Sequence, residues 1–150
     1  MDSYIDISFH VIVSSLLGYA VWRLFDSHDK KIFTISLFFT LLGGVLIDVD
    51  HFIDHFLSFG LNFNYDYFIK GEYFLRSSRA YIVFHGFEYV ILFGVLALLV
   101  KARIRKVVFI AIALGMLSHL LIDAFLFPNS IMGYSIFYRL LNGFNTDILE

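Results

Sequence analysis

The sequence predicts an all-α integral membrane bundle of four transmembrane helices, with a long aromatic loop between the second and third. Three observations predict it. Hydrophobic residues make up 59% of the 150-residue chain, with nineteen Phe and nine Tyr, and the mean hydropathy is +0.79. A soluble domain of this size leaves too much surface exposed to hide that apolar content. Four apolar stretches each approach the roughly 20 residues that cross a bilayer as a helix. Breakers are rare inside them, and the single Pro, Pro128, falls just after the fourth, where a stop signal belongs. At this length the chain is one domain.

The first stretch runs from Ile7 to Phe25. The residues before it, Met1-Asp2-Ser3-Tyr4-Ile5-Asp6, lack a basic region, so a cleaved signal peptide is not expected. The second runs from Ile32 to Ile53 and contains Gly43-Gly44, which is expected to allow close helix packing rather than to break the helix. Asp54 to Arg79 then forms the long loop, with Phe56, Phe59, Phe63, Tyr65, Tyr67, Phe68, Tyr73 and Phe74. Rings of this kind suit the headgroup region. The loop reads either as an interfacial belt or as a lid that guides a lipid-like substrate. The third stretch runs from Ala80 to Val100 and the fourth, containing Gly115, from Val107 to Phe127. The tail beyond Pro128 carries Tyr134, Phe137 and Tyr138 and reads as a short interfacial helix.

Charge sets the expected orientation. The short loops and their edges hold seven basic residues (Arg23, Lys30, Lys31, Lys101, Arg103, Arg105, Lys106), against four on the other side (Lys70, Arg76, Arg79, Arg139). The positive-inside rule puts the short loops in the cytoplasm of a cell-membrane protein and both termini outside. A net charge of -2 gives no case for a nucleic-acid partner, and the absence of Cys excludes disulfides, thiolate metal sites and Cys nucleophiles.

Ionisable groups inside spanning helices cost about 2.5–3.5 kcal/mol each near the centre when unpaired. This chain carries His10 in the first stretch and Asp48, Asp50 and His51 at the end of the second. His85 and Glu88 begin the third, and His119 and Asp123 lie late in the fourth. Four unpaired carboxylates would cost on the order of 10 kcal/mol, comparable to the net stability of a whole domain. They must be paired, protonated or bound to a cation. Start, end, start, end of four alternating helices all fall at one side of the membrane, which by the charge count is the outside.

Helical spacing then selects faces. His85 and Glu88 stand at i, i+3, and His119 and Asp123 at i, i+4. Asp48, His51 and His55 share a face, whereas Asp50 points nearly opposite to Asp48 on a regular helix. Either the helix loosens there or only some of these residues are ligands. One His per helix with several carboxylates is a nitrogen and oxygen donor set for a divalent ion, suited to Zn²⁺, Mn²⁺ or Fe²⁺ rather than to soft metals or Mg²⁺. Bundle cores build metal sites in this way. The competing reading is that these groups only pair with one another and lock the bundle. His28 reads as ordinary surface, and His55 as ligand or interfacial residue equally.

The ordered motifs are His10 with Gly18, Ile47-Asp48-Val49-Asp50-His51, Phe84-His85-Gly86, and Ser118-His119-Leu120-Leu121-Ile122-Asp123. In these the chain resembles the YdjM-like family of LexA-regulated inner-membrane metal-dependent hydrolases. That family's pattern is an early His, then Pro-Asp-x-Asp-His, His-Arg-Gly-x-Thr-His-Ser and Ser-His-x-x-x-Asp. Ile47 replaces the Pro, Ala80 stands where the third motif has its first His, and Gly86 replaces its Ser. The resemblance implies a membrane-bound metal-dependent hydrolase. His10, Asp48, His51, His85, His119 and Asp123 would be metal ligands and Asp50 or Glu88 the general base. Arg139 would steady an anionic group such as a phosphoester of a lipid-like substrate. Intramembrane carboxylates and histidines also form ion paths, so a cation or proton transporter, or a metal-binding membrane protein without catalysis, stands as the alternative.

Overall fold

The structure is a computed structural model and describes residues 3–26, 28–65, 68, 77–126 and 131–149. Much of the aromatic loop (Tyr67, Tyr73 and Phe74), together with Lys70, Arg76 and Pro128, lies outside the described residues. Among the described residues the chain is all-helical without strands, and its single β-type contact is an isolated antiparallel bridge between Arg79 and Asn145.

Six α-helices are described: α1 (Ser3–Asp26), α2 (Lys30–Gly44), α3 (Asp50–Phe59), α4 (Phe87–Leu99), α5 (Arg103–Leu126) and α6 (Ile136–Leu141). Short 3-10 turns cover Leu46–Val49, Ile131–Tyr134 and Thr146–Leu149. The last two and α6 supply the helical tail expected after the fourth stretch. By length and composition α1 (its Ile7–Asp26 portion) and α5 can cross a membrane, and α2 with the turn and α3 makes a third candidate span bent by 46°.

Three boundaries differ from the sequence expectation. The second stretch is not one helix. It ends at Gly44, Val45 leaves helical geometry at φ -133°, and a 3-10 turn leads into α3. Gly43-Gly44 therefore both packs and breaks, because two adjacent residues with low helix propensity precede a β-branched one. The third stretch becomes helical only at Phe87, and residues 80–86 form a non-helical strap. The fourth begins early, so Arg103, Arg105 and Lys106 ride on the first turn of α5 instead of in a loop.

α2 lies against α1 and α5, and α5 also packs on α1 and α4. Glycine sets the closest crossing. A Cβ on Gly43 would meet the Ile112 carbonyl at 2.5 Å, and one on Gly115 would run into the Thr40 carbonyl and the Gly44 amide. Such contact between backbones is the usual use of small residues at apolar helix crossings. At one end of the bundle Val21, Ile32 and Val107 close an apolar core with Trp22, Phe25 and Ile110 around it. Asp29 caps α2 there by accepting from the Lys31 and Ile32 amides at 2.8 and 3.3 Å. Arg103 ties α5 to the end of α1 through the Phe25 carbonyl at 2.6 Å and Asp26 at 2.9 Å.

Toward the other end the interior becomes polar. Ser14, Ser36, Thr40, His10, His85 and His119 are buried, while Leu16, Leu24, Ile91, Leu98 and Phe125 are exposed. An apolar exterior around a polar interior inverts the arrangement expected of a water-soluble bundle.

Candidate metal centre

α5 is an unbroken helix here, so His119 and Asp123 rise from successive turns on one face. The end of α2 faces them. Because α2 stops at Gly44, that residue's carbonyl is among those without a helical partner, and it lies 3.0 Å from His119 Nδ1. A carbonyl only accepts, so Nδ1 carries the hydrogen and Nε2 of the neutral ring is a bare lone pair. The same logic applies to His85 on the strap. Its Nδ1 lies 3.1 Å from Asp50 Oδ2, and that carboxylate also accepts from the Phe84 amide at 2.6 Å. In the neutral ring its Nε2 is then a bare lone pair as well.

The two bare nitrogens face each other at 3.2 Å. Lone pairs at that distance repel unless a positive charge sits between them. The remaining groups supply the counter-charge. Asp48 Oδ1 lies 3.3 Å from His85 Nε2 and 3.2 Å from His119 Nε2. Asp123 Oδ2 lies 3.7 and 3.2 Å from the same two atoms. Bonds of about 2.0–2.1 Å from a tetrahedral ion to nitrogen or oxygen imply ligand-to-ligand edges of about 3.3–3.4 Å. Four of these distances match such edges, and the fifth, from His85 to Asp123, is longer at 3.7 Å; Asp48, His85 and His119 form one donor triad, with Asp123 beside it. These His and Asp groups could hold a metal ion, and the two partners on the far ring nitrogens are the orienting contacts that metal-binding histidines use.

The other expected ligands stand just outside. His10 Nε2 is 3.2 Å from Asp123 Oδ1, and its ring stacks on His119 with centroids 3.9 Å apart. It can join His119 and Asp123 in a second donor triad, as His51 can join Asp50 and His85 in a third. His51 Nε2 lies 3.5 Å from Asp48 Oδ1. The side chains of Asp48 and His51 are 34% and 27% exposed, against 2% for His85 and 1% for His119. The cluster therefore opens to the exterior at Asp48 and His51.

Three expected roles meet different surroundings. Asp50 is fully buried and engaged with Phe84 and His85, so it orients the His85 ring rather than facing the opening. The loosened backbone at Val45–Val49 is what turns it toward His85. Glu88 does not share a helical face with His85, because helix α4 starts after that residue. Its carboxylate accepts from the Ser135 hydroxyl and from the Ile136 and Phe137 amides, capping α6. Arg139 is fully buried, donating to the Gly133 carbonyl at 2.8 Å and the Ile82 carbonyl at 2.6 Å. Burial lowers its pKa from the ordinary arginine value, while the charges of Asp50, Glu88 and Asp54 push the other way. A guanidinium enclosed in this way does not reach a substrate. His28 is exposed, as expected. His55 is buried among Phe56, Phe59, Phe63 and Phe68, with Nε2 3.3 Å from the Asn62 carbonyl, outside the metal-capable groups.

Sequence reasoning passed over Asp54, a fully buried carboxylate whose Oδ1 accepts from the Tyr81 amide at 2.6 Å. Its signal is the i, i+4 spacing from Asp50, which ending the second stretch at Ile53 concealed. Comparison with protein-family models, with curated proteins and with solved structures finds no match to this chain.

Proposed function

We propose that this chain is a multi-pass cell-membrane protein with a divalent metal centre, and that it hydrolyses an ester or phosphoester of a lipid-like substrate. The observation that carries the reading is the convergence of His85 Nε2, His119 Nε2 and Asp48 Oδ1 at 3.2–3.3 Å, with Asp123 Oδ2 3.2 Å from His119 and 3.7 Å from His85. The imidazole and carboxylate donors suit Zn²⁺, Mn²⁺ or Fe²⁺. The motif order that resembles the YdjM-like hydrolases favours the same reading.

Four crossings are part of the proposal. The 13-residue α4 spans only about 20 Å on its own, and the strap before it supplies the remaining depth. The charge count favours cytoplasmic short loops, which puts both termini and the cluster at the extracytoplasmic face. The buried core of Val21, Ile32 and Val107 at the other end is apolar, which favours hydrolysis over ion transport.

A bound cation would acidify a water and polarise the scissile group. The chain's own residues prepare the rest. Asp50 and the Gly44 carbonyl fix the tautomers of His85 and His119. His10 holds the second oxygen of Asp123 and so keeps the first pointed inward. His51 stands at the open margin, with its Nε2 3.5 Å from Asp48 Oδ1. An apolar groove lined by Phe9, Leu121, Ile122, Phe125 and Leu126 runs on the outer side of the α1–α5 seam whose inner side carries His10 and Asp123. It fits the acyl part of a lipid.

The test is metal analysis of the purified protein, followed by assay of ester and phosphoester cleavage. One bound equivalent is expected, with metal and hydrolysis both lost in His119→Ala. Metal content and activity unchanged by that substitution would refute the proposal. Metal without hydrolysis would leave a non-catalytic centre.

A further inference from the structure

We propose that Asp54 and Arg139 are positioning residues that hold the strap of residues 80–85 from opposite sides and so fix His85 as a metal ligand. The inference rests on the metal reading above. The strap has almost no secondary structure of its own, and its backbone groups are taken up by distant partners. The Ala80 amide donates to the Phe144 carbonyl at 2.8 Å. The Tyr81 amide donates to Asp54 at 2.6 Å, and the Phe84 amide to Asp50 at 2.6 Å. The Ile82 carbonyl, between them, accepts from Arg139 at 2.6 Å.

Asp50 and Asp54 stand one turn apart on α3, so a single helix face grips the strap at two amides. Arg139 approaches from α6 and bridges the strap to the Gly133 carbonyl. Glu88, on α4, in turn holds the start of α6. The tail is thereby knitted to the strap instead of lying apart from the site. With both amides and the intervening carbonyl held, the strap can neither slide nor roll, and the His85 ring keeps its direction.

The composition of this grip is the second argument. Asp50, Asp54 and Arg139 are buried, and Asp50 Oδ1, Asp54 Oδ2 and Arg139 Nε have no hydrogen-bond partner among the described residues. Buried charges with orphaned atoms are a poor means of holding an ordinary loop, since apolar packing does so without the desolvation cost. Charged groups that bind amides and carbonyls directly do give directional control, which a ligand-bearing segment needs.

The test uses the full chain in detergent and Co²⁺ as probe, read by its visible absorption. Asp54→Ala is expected to weaken Co²⁺ binding by up to about tenfold, the lower end of the cost of removing an outer-shell partner, because it acts on His85 through the strap backbone. It should also shift the absorption toward that of His85→Ala. Asp54→Asn keeps an acceptor for the Tyr81 amide and should recover most of the loss. In a His85→Ala background Asp54→Ala should have no further effect, because its action runs through that ring. Arg139→Lys, which replaces the rigid two-nitrogen fork by a single ammonium, should weaken binding in the same direction and serves if Asp54→Ala does not fold. Unchanged Co²⁺ affinity in these variants, or an equal loss with and without His85, overturns the proposal. If the wild-type chain binds no Co²⁺, the metal reading itself fails, and amide hydrogen exchange decides the grip alone. Protection at Tyr81 that disappears in Asp54→Ala upholds it, and protection unchanged by the substitution overturns it.

Discussion

The two walls of the cluster are built differently. α5 delivers His119 and Asp123 from consecutive turns of an uninterrupted helix. The facing wall delivers Asp48 from a 3-10 turn and His85 from a strap without helical structure. On the regular wall, direction follows mainly from helix geometry, and each donor needs one further contact, the Gly44 carbonyl for His119 and His10 for Asp123. On the irregular wall, backbone has left the helix, so donors reach angles that a helix does not offer. They must then be held by hydrogen bonds from elsewhere: Asp50, Asp54 and Arg139. The regular wall should therefore be sensitive to loss of donors and the irregular wall to loss of supports.

The largest effect is expected on the regular wall. Asp123→Ala removes a donor and leaves His10 without its carboxylate, and should lower metal affinity by about two orders of magnitude or more. Metal content after dialysis measures it, and retention of a full equivalent would break the comparison. Next comes Asp50→Asn on the irregular wall, which leaves all four proposed donors in place but removes the charge that orients His85. A loss of about tenfold in metal affinity is expected by competition titration. A loss as large as that of Asp123→Ala would mean that Asp50 is itself a ligand.

Smaller effects concern the scaffold. Gly115→Ala forces a methyl group between α5 and the Thr40 carbonyl, and should destabilise the bundle by about 1–3 kcal/mol, read as a lowered midpoint in denaturation from detergent. Glu88→Ala removes the carboxylate that accepts from the first amides of α6, leaves the Ser135 cap in place, and should cost about 1 kcal/mol, with metal content unchanged. Hydrolysis abolished at unchanged metal content and near-normal stability would return Glu88 to the role of general base.

The same contrast decides what could be read from the chain before any coordinates. The His119–Asp123 pair is legible because it obeys i, i+4. The gathering of polar groups at one end is legible because successive helices alternate direction. Asp50 signalled trouble in the second stretch, since on a regular helix it faces away from Asp48. The break itself was not legible, because Gly43-Gly44 serves equally as a crossing and as a stop. The strap was hidden for a different reason. Ala80-Tyr81-Ile82-Val83-Phe84 is as apolar as the helix that follows, so hydropathy alone extends α4 backward. What makes it a strap is its contacts with Asp54 and Arg139, 27 and 57 residues distant along the chain. No local pattern encodes these.

The glycine crossing has a consequence for ion selection. Gly43, Gly44 and Gly115 bring two helix backbones into contact within one turn of His119, and the Gly44 carbonyl holds that ring directly. The spacing between the α2 end and the His119 turn is thus set by main chain against main chain, which yields less than side chains do. Around a bound ion, such a frame would discriminate by ionic radius. Each added methyl group at the crossing should move the preferred guest from a small ion toward a larger one.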